Sequence, residues 1–312
     1  MKLIMLMGLC GLILLAGCTG LFKTGTIQEV NVHTGTKGIT AMFLDQSPPP
    51  VTFMDAPFTA SFELVNEGAT DVEDGVFSVG IEDDFVTLQG DRIRAFSLYG
   101  KSLATPEGER QIQTVQLRAR PLPPQTETVT TTLGLNVCYP YSTRAELTTC
   151  VDTDVFQRVK TKPCTAKAVS LSGQGGPVAV TRIEPTFAPH TDPNKVRAEF
   201  LIYIKNLGTG QVYDADKSLE ACTPQALGSA SWNVADIKAY LGDQQLDCTP
   251  KKQGFGGADG YLKLVNKEDF VRCEVQGGIA KTAGAYTTTM TIEVTYGYTF
   301  TLTKQVQIKR VT

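Results

Sequence analysis

The sequence is poor in the residues that most catalytic and metal sites need. Two histidines, His33 and His190, serve 312 residues. A histidine-based triad or zinc site needs at least one histidine held by a rigid scaffold. His33 falls in a Thr- and Gly-rich stretch and His190 in the turn Pro189-His190-Thr191-Asp192-Pro193, so both are read as surface-loop residues. No Cys-x-x-Cys pair is present, which removes the usual zinc spacing. Long helical periodicity is missing, and with it the βαβ pattern of a two-lobed solute-binding fold. No apolar run after residue 22 has the length of a membrane-spanning helix. The net charge of -3 supplies no field that would recruit nucleic acid. These absences lead to the expectation of a chain that is not an enzyme and has no nucleic-acid partner.

What is present begins at the N-terminus. Lys2 supplies a short positive region, and Leu3 to Leu15 is apolar apart from glycine and a cysteine. That is the length of a signal-peptide core. The run ends in Leu15-Ala16-Gly17-Cys18. These residues resemble the lipobox of bacterial and archaeal lipoproteins, in which small residues before the cysteine fit the signal peptidase. The resemblance implies removal of residues 1–17, lipidation of Cys18 and attachment to the outer face of a cell membrane. Each buried methylene contributes roughly 0.8 kcal/mol, so two acyl chains anchor stably. Residues 18–38 are expected as a flexible tether.

Eight cysteines fit export. Cys10 leaves with the signal and Cys18 takes lipid; Cys138, Cys150, Cys164, Cys222, Cys248 and Cys273 remain. An even number in an exported chain reads as three disulfides. Cys138 and Cys150 flank a stretch that reads as a hairpin turning near Arg144, which pairs them. Cys248 ends one short strand and Cys273 lies in another nearby, which pairs them. Cys164 and Cys222 are left over, so Cys164–Cys222 completes the set.

From Gly38 to Thr312 the chain reads as β. Phe58, Ala60, Phe62 and Leu64 alternate with polar residues, as do Val196, Ala198, Phe200, Ile202 and Ile204. Period two marks a strand with one buried face. Ser231 to Leu241 is the best helix candidate, yet a hairpin through a Gly242-Asp243 turn fits better. The chain also repeats itself. Asn66-x-Gly68-x3-Val72-x-Asp74 recurs as Asn206-x-Gly208-x3-Val212-x-Asp214, 140 positions on. Thr130 to Tyr141 matches Thr287 to Tyr298 without gaps, 157 positions on. The Asn-x-Gly is expected to supply positive-φ positions of a tight turn. Many short strands with turns between them suggest an all-β fold of two tandem immunoglobulin-like sandwiches. The expected boundaries are 39–159, a linker at 160–176, and 177–312. The strand-Asn-x-Gly-x3-Val pattern resembles the CARDB-like adhesion-related domains of prokaryotic surface proteins, which implies a binding or spacer module.

Candidate sites are few. Gly254 to Gly260 is glycine-rich, but Tyr261-Leu262-Lys263-Leu264-Val265 follows rather than Lys-Ser/Thr and a helix, so it reads as a hairpin loop. Asp71, Glu73, Asp74, Glu82, Asp83 and Asp84 offer oxygens for calcium, weighed against a solvated acidic edge. Tyr139, Tyr141, Tyr296 and Tyr298 fall on the core face rather than forming a carbohydrate stripe. Trp232 and Phe255 are the candidate binding aromatics. Both lie in Ala215 to Ala285, where the second copy carries 17 extra residues, so a partner is expected to engage that segment. The leading expectation is a surface interaction, adhesion or scaffold lipoprotein that contacts a cell-surface protein or polysaccharide. The alternative is a solute- or metal-binding lipoprotein of the envelope.

Overall fold

Alternation decides the strands. In β3 (Pro57–Asn66) Phe58, Ala60, Phe62 and Leu64 are buried while their neighbours are not, and β11 (Lys195–Asn206) buries Val196, Ala198, Phe200, Ile202 and Ile204 in the same way. A computed structural model describes residues 32–223, 227–254 and 256–311. Residues 1–31, with Cys18, and Phe255 lie outside the described residues.

The described residues form three sheets. A four-stranded sheet runs in the order β1 (Ile39–Phe43), β3, β7 (Arg110–Ala119), β5 (Val86–Gln89). A six-stranded sheet runs β15 (Asp247–Thr249), β17 (Glu268–Glu274), β11, β10 (Val178–Pro189), β9 (Val169–Ser170), with β18 (Ile279–Ala280) on β11. The third sheet runs β14 (Gln244–Gln245), β13 (Val234–Leu241), β19 (Ala285–Lys309), β8 (Thr128–Asp152), β4 (Val72–Gly80), β6 (Ile93–Leu98). β2 (Val51–Phe53) and β12 (Gln211–Tyr213) join it on β19, and β16 (Gly260–Lys263) joins it on β13. The expected hairpin forms with Gly242 at φ 58° in the turn. Its return strand pairs with β13 only as far as Leu246, whose N–H donates to Ala239 O at 2.8 Å. The stretch around Cys248, expected to continue it, is β15 and pairs with β17 in the six-stranded sheet. One short helix, α1 (Ser218–Cys222), lies in the second half.

The long strands β8 and β19 organise the rest. They pair antiparallel over their whole length, from Thr128↔Lys309 to Asp152↔Ala285. The repeat gives this ladder a local two-fold axis. A residue of β8 meets its own counterpart, 157 positions later, only at Pro140↔Gly297, the midpoint of both strands. One end of the ladder continues into β4 and β6, the other into β13. Phe62 of the four-stranded sheet meets Phe77 of β4 edge to face at 5.1 Å, closing a sandwich-like core there. At the other end Gly260 of β16 lies against Cys248 of β15 and Ile237 of β13. Residues 39–159 and 177–312, expected as separate sandwiches, thus share the nine-stranded sheet, and one buried apolar cluster draws on both.

Residues 160–176 are held down rather than strung out. Lys162 pairs with Asp152 at 2.6 Å and Asp154 at 3.2 Å, and β9 pairs with β10. The disulfides are Cys138–Cys222, Cys150–Cys164 and Cys248–Cys273. Only the third matches the expected pairing. Cys138–Cys150 cannot form because no hairpin turns at Arg144, which sits inside β8 opposite Glu293. Twelve residues of strand separate those cysteines by about 40 Å. Cys138 instead ties α1 to β8, and Cys150 ties residue 164 to the strand's far end.

Candidate interaction surface

Four tyrosines surround the two-fold axis. Tyr139 pairs with Tyr298 and Tyr141 with Tyr296, flanking Pro140↔Gly297. All four are buried, as the core reading expects. Their ring centroids lie 5.8 to 6.5 Å apart. Their hydroxyls fasten the start of each repeat in matched fashion. Tyr139 Oη accepts from Ile39 N (3.1 Å) and Tyr296 Oη from Val178 N (3.2 Å). Tyr141 Oη accepts from Thr70 N (3.2 Å) and Tyr298 Oη from Gly210 N (2.7 Å). Burial pushes the Tyr139 and Tyr296 phenols well up and Tyr141 to about 12, so these groups are neutral donors and acceptors.

The repeated asparagines complete the turns. Asn66 Nδ2 donates to Thr70 O at 2.9 Å and Asn206 Nδ2 to Gly210 O at 3.0 Å. Each Oδ1 accepts from the glycine amide two residues on, at 3.1 and 3.0 Å. Neither Gly68 nor Gly208 has positive φ, which corrects the turn reading. They are glycines because a Cβ would overlap the Tyr141 and Tyr298 hydroxyls. The motif is a docking point for tyrosine, so its spacing is set by a strand far away in sequence.

The matched repeats differ at one edge. In β1 the ladder bonds Glu67 N to Gly38 O (2.9 Å) and Leu44 N to Ser61 O (3.0 Å) show that even-numbered residues face β3. The amides and carbonyls of Ala41 and Phe43 therefore point outward, and they have no partner among the described residues. The counterpart edge of β10 is covered. Val180 N donates to Gln174 Oε1 and Val180 O accepts from Gln174 Nε2, both at 3.0 Å. Leu171 N donates to Thr181 O at 2.9 Å, and β9 pairs with Arg182 and Ile183. Beside the open β1 edge runs a groove of about 360 Å³ lined chiefly by Ile39, Ala41, Pro177, Leu207, Phe300 and Leu302.

The solvent face of β1 carries a polar cleft of about 610 Å³ around Glu67. Burial would push the Glu67 carboxyl up, but hydrogen bonds from Lys37 Nζ and Thr40 Oγ1, each 2.8 Å, hold it below the usual range. Arg110 reaches Glu63 at 3.6 Å. These charges pair with one another, which makes the cleft a solvated network.

The candidates from sequence scatter. Trp232 packs inward: its ring meets Tyr213 at 6.1 Å, its Nε1 donates to Leu227 O at 3.2 Å, and it flanks the cluster holding Cys138 and Cys222. It anchors the inserted segment. Asp71 Oδ1 accepts from Gly100 N at 2.7 Å; Glu73 and Asp74 are exposed at the start of β4. Glu82, Asp83 and Asp84 follow its far end, where Asp83 pairs with Arg92 at 2.8 Å. The nine residues of β4 separate the two acidic groups by about 30 Å, so one calcium ion cannot bridge them. Among the described residues no group of three or more His, Cys, Asp and Glu is placed to hold a metal. His190 Nδ1 accepts from Asp192 N at 3.0 Å and shapes its turn. A cluster missed in the sequence joins Lys252 to Asp214 (3.0 Å) and Asp236 (3.9 Å) beneath Tyr261, and burial pushes Asp236 up. Asp214 belongs to the repeat, whereas its counterpart Asp74 is exposed, so the motif alone carries no signal for the cluster.

Three disulfides suit an oxidising, extracytoplasmic compartment. No helix among the described residues is long and apolar enough to cross a membrane.

No protein family matches the chain, and no curated protein is similar to it. Among solved structures it resembles the secreted serine protease VesC from Vibrio cholerae, at 10% identity and TM-score 0.21, over 83% of this chain and 50% of that one. It also resembles a DUF4466 family protein from Parabacteroides merdae, at 10% identity and TM-score 0.17, over 83% and 99%. A third is the partial N-terminal region of an enterococcal surface protein, at 9% identity and TM-score 0.16, over 87% and 93%. The chain spans half the length of the VesC chain. The first of these structures is a secreted serine protease, so the expectation of a chain that is not an enzyme, drawn from scarce histidines, is not kept. At these TM-scores the likenesses carry no argument for any activity or shared fold, and what is shown is an all-β, sandwich-like protein with three disulfides.

Proposed function

We propose that the chain is a lipid-anchored interaction or scaffold module at the outer face of a cell membrane, built from two immunoglobulin-like halves. The observation that carries this reading is the full-length β8–β19 ladder, which fuses both halves into one body. A rigid body braced by disulfides holds binding edges at fixed spacing outside the cell. The residues Leu15-Ala16-Gly17-Cys18 support the anchor. Cell fractionation of a Cys18→Ser variant tests it. The wild type is expected with the membranes, and the variant as a released chain or an unprocessed precursor. A variant that is processed and partitions like the wild type contradicts the anchor.

A further inference from the structure

We propose that the open edge of β1, with the groove beside it, seats an extended strand of a partner polypeptide whose aliphatic side chains recur at alternate positions. The molecule itself supplies the precedent. Its two halves match in the backbone amides that the four tyrosine hydroxyls accept from, yet only one edge is covered. On β10 the cover is an extended stretch of the same chain: Val169 and Leu171 at alternate positions, then the Gln174 amide on both polar groups of Val180. Ala41 stands where Val180 stands, with its N–H and C=O pointing outward. The described residues preceding β1 do not follow the equivalent path, because Gly35 forms a parallel bridge with Gln174 instead.

An added strand would gain main-chain hydrogen bonds at Ala41 and Phe43, with the groove receiving its apolar side chains. Phe300 and Leu302 of β19 and Leu207 line the groove together with Ile39 and Ala41 of β1. The cover of the β10 edge is one extended stretch, Val169–Ser170 followed by Gln174, which favours a single strand as the occupant of the β1 edge. The proposal rests on the interaction-module reading and adds to it the surface and the kind of partner. Binding in solution does not depend on Cys18, so failure of the anchor and failure of the docking edge are read separately.

The probe is a labelled synthetic peptide with the sequence of Lys167–Gly176, titrated by fluorescence anisotropy into the full chain with its disulfides intact. Saturable binding is expected. Ala41→Pro removes the outward N–H without touching a β3 ladder bond, and should weaken binding about ten-fold or more. Leu302→Lys should do the same through the groove. Melting temperatures show whether each variant folds. If Ala41→Pro does not fold, amide exchange decides: peptide must slow exchange at Ala41 and Phe43 of the wild type. Absence of saturable binding, or equal binding to folded Ala41→Pro, overturns the proposal. A dimer in sedimentation that Ala41→Pro dissolves, with no peptide bound, also overturns it in favour of a second copy.

Discussion

Each tyrosine at the β8–β19 crossing spends a buried hydroxyl on the backbone of a distant turn, and that arrangement has a pH signature. Burial raises the proton affinity of these phenols in the folded chain, whereas the same groups ionise near pH 10 when unfolded. The stabilisation is therefore complete below pH 10 and is lost as pH rises through the folded value, about 12 for Tyr141. Tyr141 alone should account for about 3 kcal/mol of that loss. Urea unfolding followed from pH 8 to 12 should show the midpoint falling steeply above pH 10, with a shallower fall in Tyr141→Phe. A wild-type midpoint that stays flat to pH 12 would contradict the placement of the quartet. The tyrosines were legible as core residues because alternation is local. Their partners were not, since the bond from Tyr141 to Thr70 spans 71 positions and nothing in either segment names the other. Gly68 shows the same limit: its sequence context suggests a turn, while the reason for glycine is a hydroxyl that arrives from β8.

At the scale of elements, the alternating strands and the hairpin through Gly242 followed from period and turn chemistry. β8 did not. Pro140 and the polar run Ser142-Thr143-Arg144 look like a break, yet the strand continues to Asp152. Pro140 lies beyond the last β4 pair, Val76↔Cys138, so its missing N–H does not interrupt that ladder. β19 then lies alongside the whole run, a pairing that only the complete chain can supply. The disulfide partners depend on this continuity. Cleavage without reduction should join the Cys150 peptide to Cys164 and the Cys138 peptide to Cys222. A Cys138–Cys150 linkage would mean that β8 turns back on itself. Opening the smaller loop with Cys164→Ser should cost about 3 kcal/mol and free residues 160–168 from the end of β8. The open edge of β1 was equally hidden, because an edge is defined by the absence of a neighbour rather than by its own residues.

For the whole molecule, duplication was readable from the repeat, but the manner of joining was not. Two beads on a linker and two halves fused along a shared ladder leave the same internal similarity in sequence. The register distinguishes them: each long strand begins in the sandwich of its own half and ends in the sheet of the other. The buried apolar cluster correspondingly has no division at residues 160–176. Such a body presents its edges at fixed separation, which is what a scaffold outside the cell requires and what a flexible tandem lacks. Differential scanning calorimetry of the intact, oxidised chain tests this most directly. The fused ladder predicts one transition whose calorimetric and van't Hoff enthalpies agree. Two resolved transitions, or a calorimetric enthalpy well above the van't Hoff value, would mean that the halves melt independently and that the ladder does not unite them.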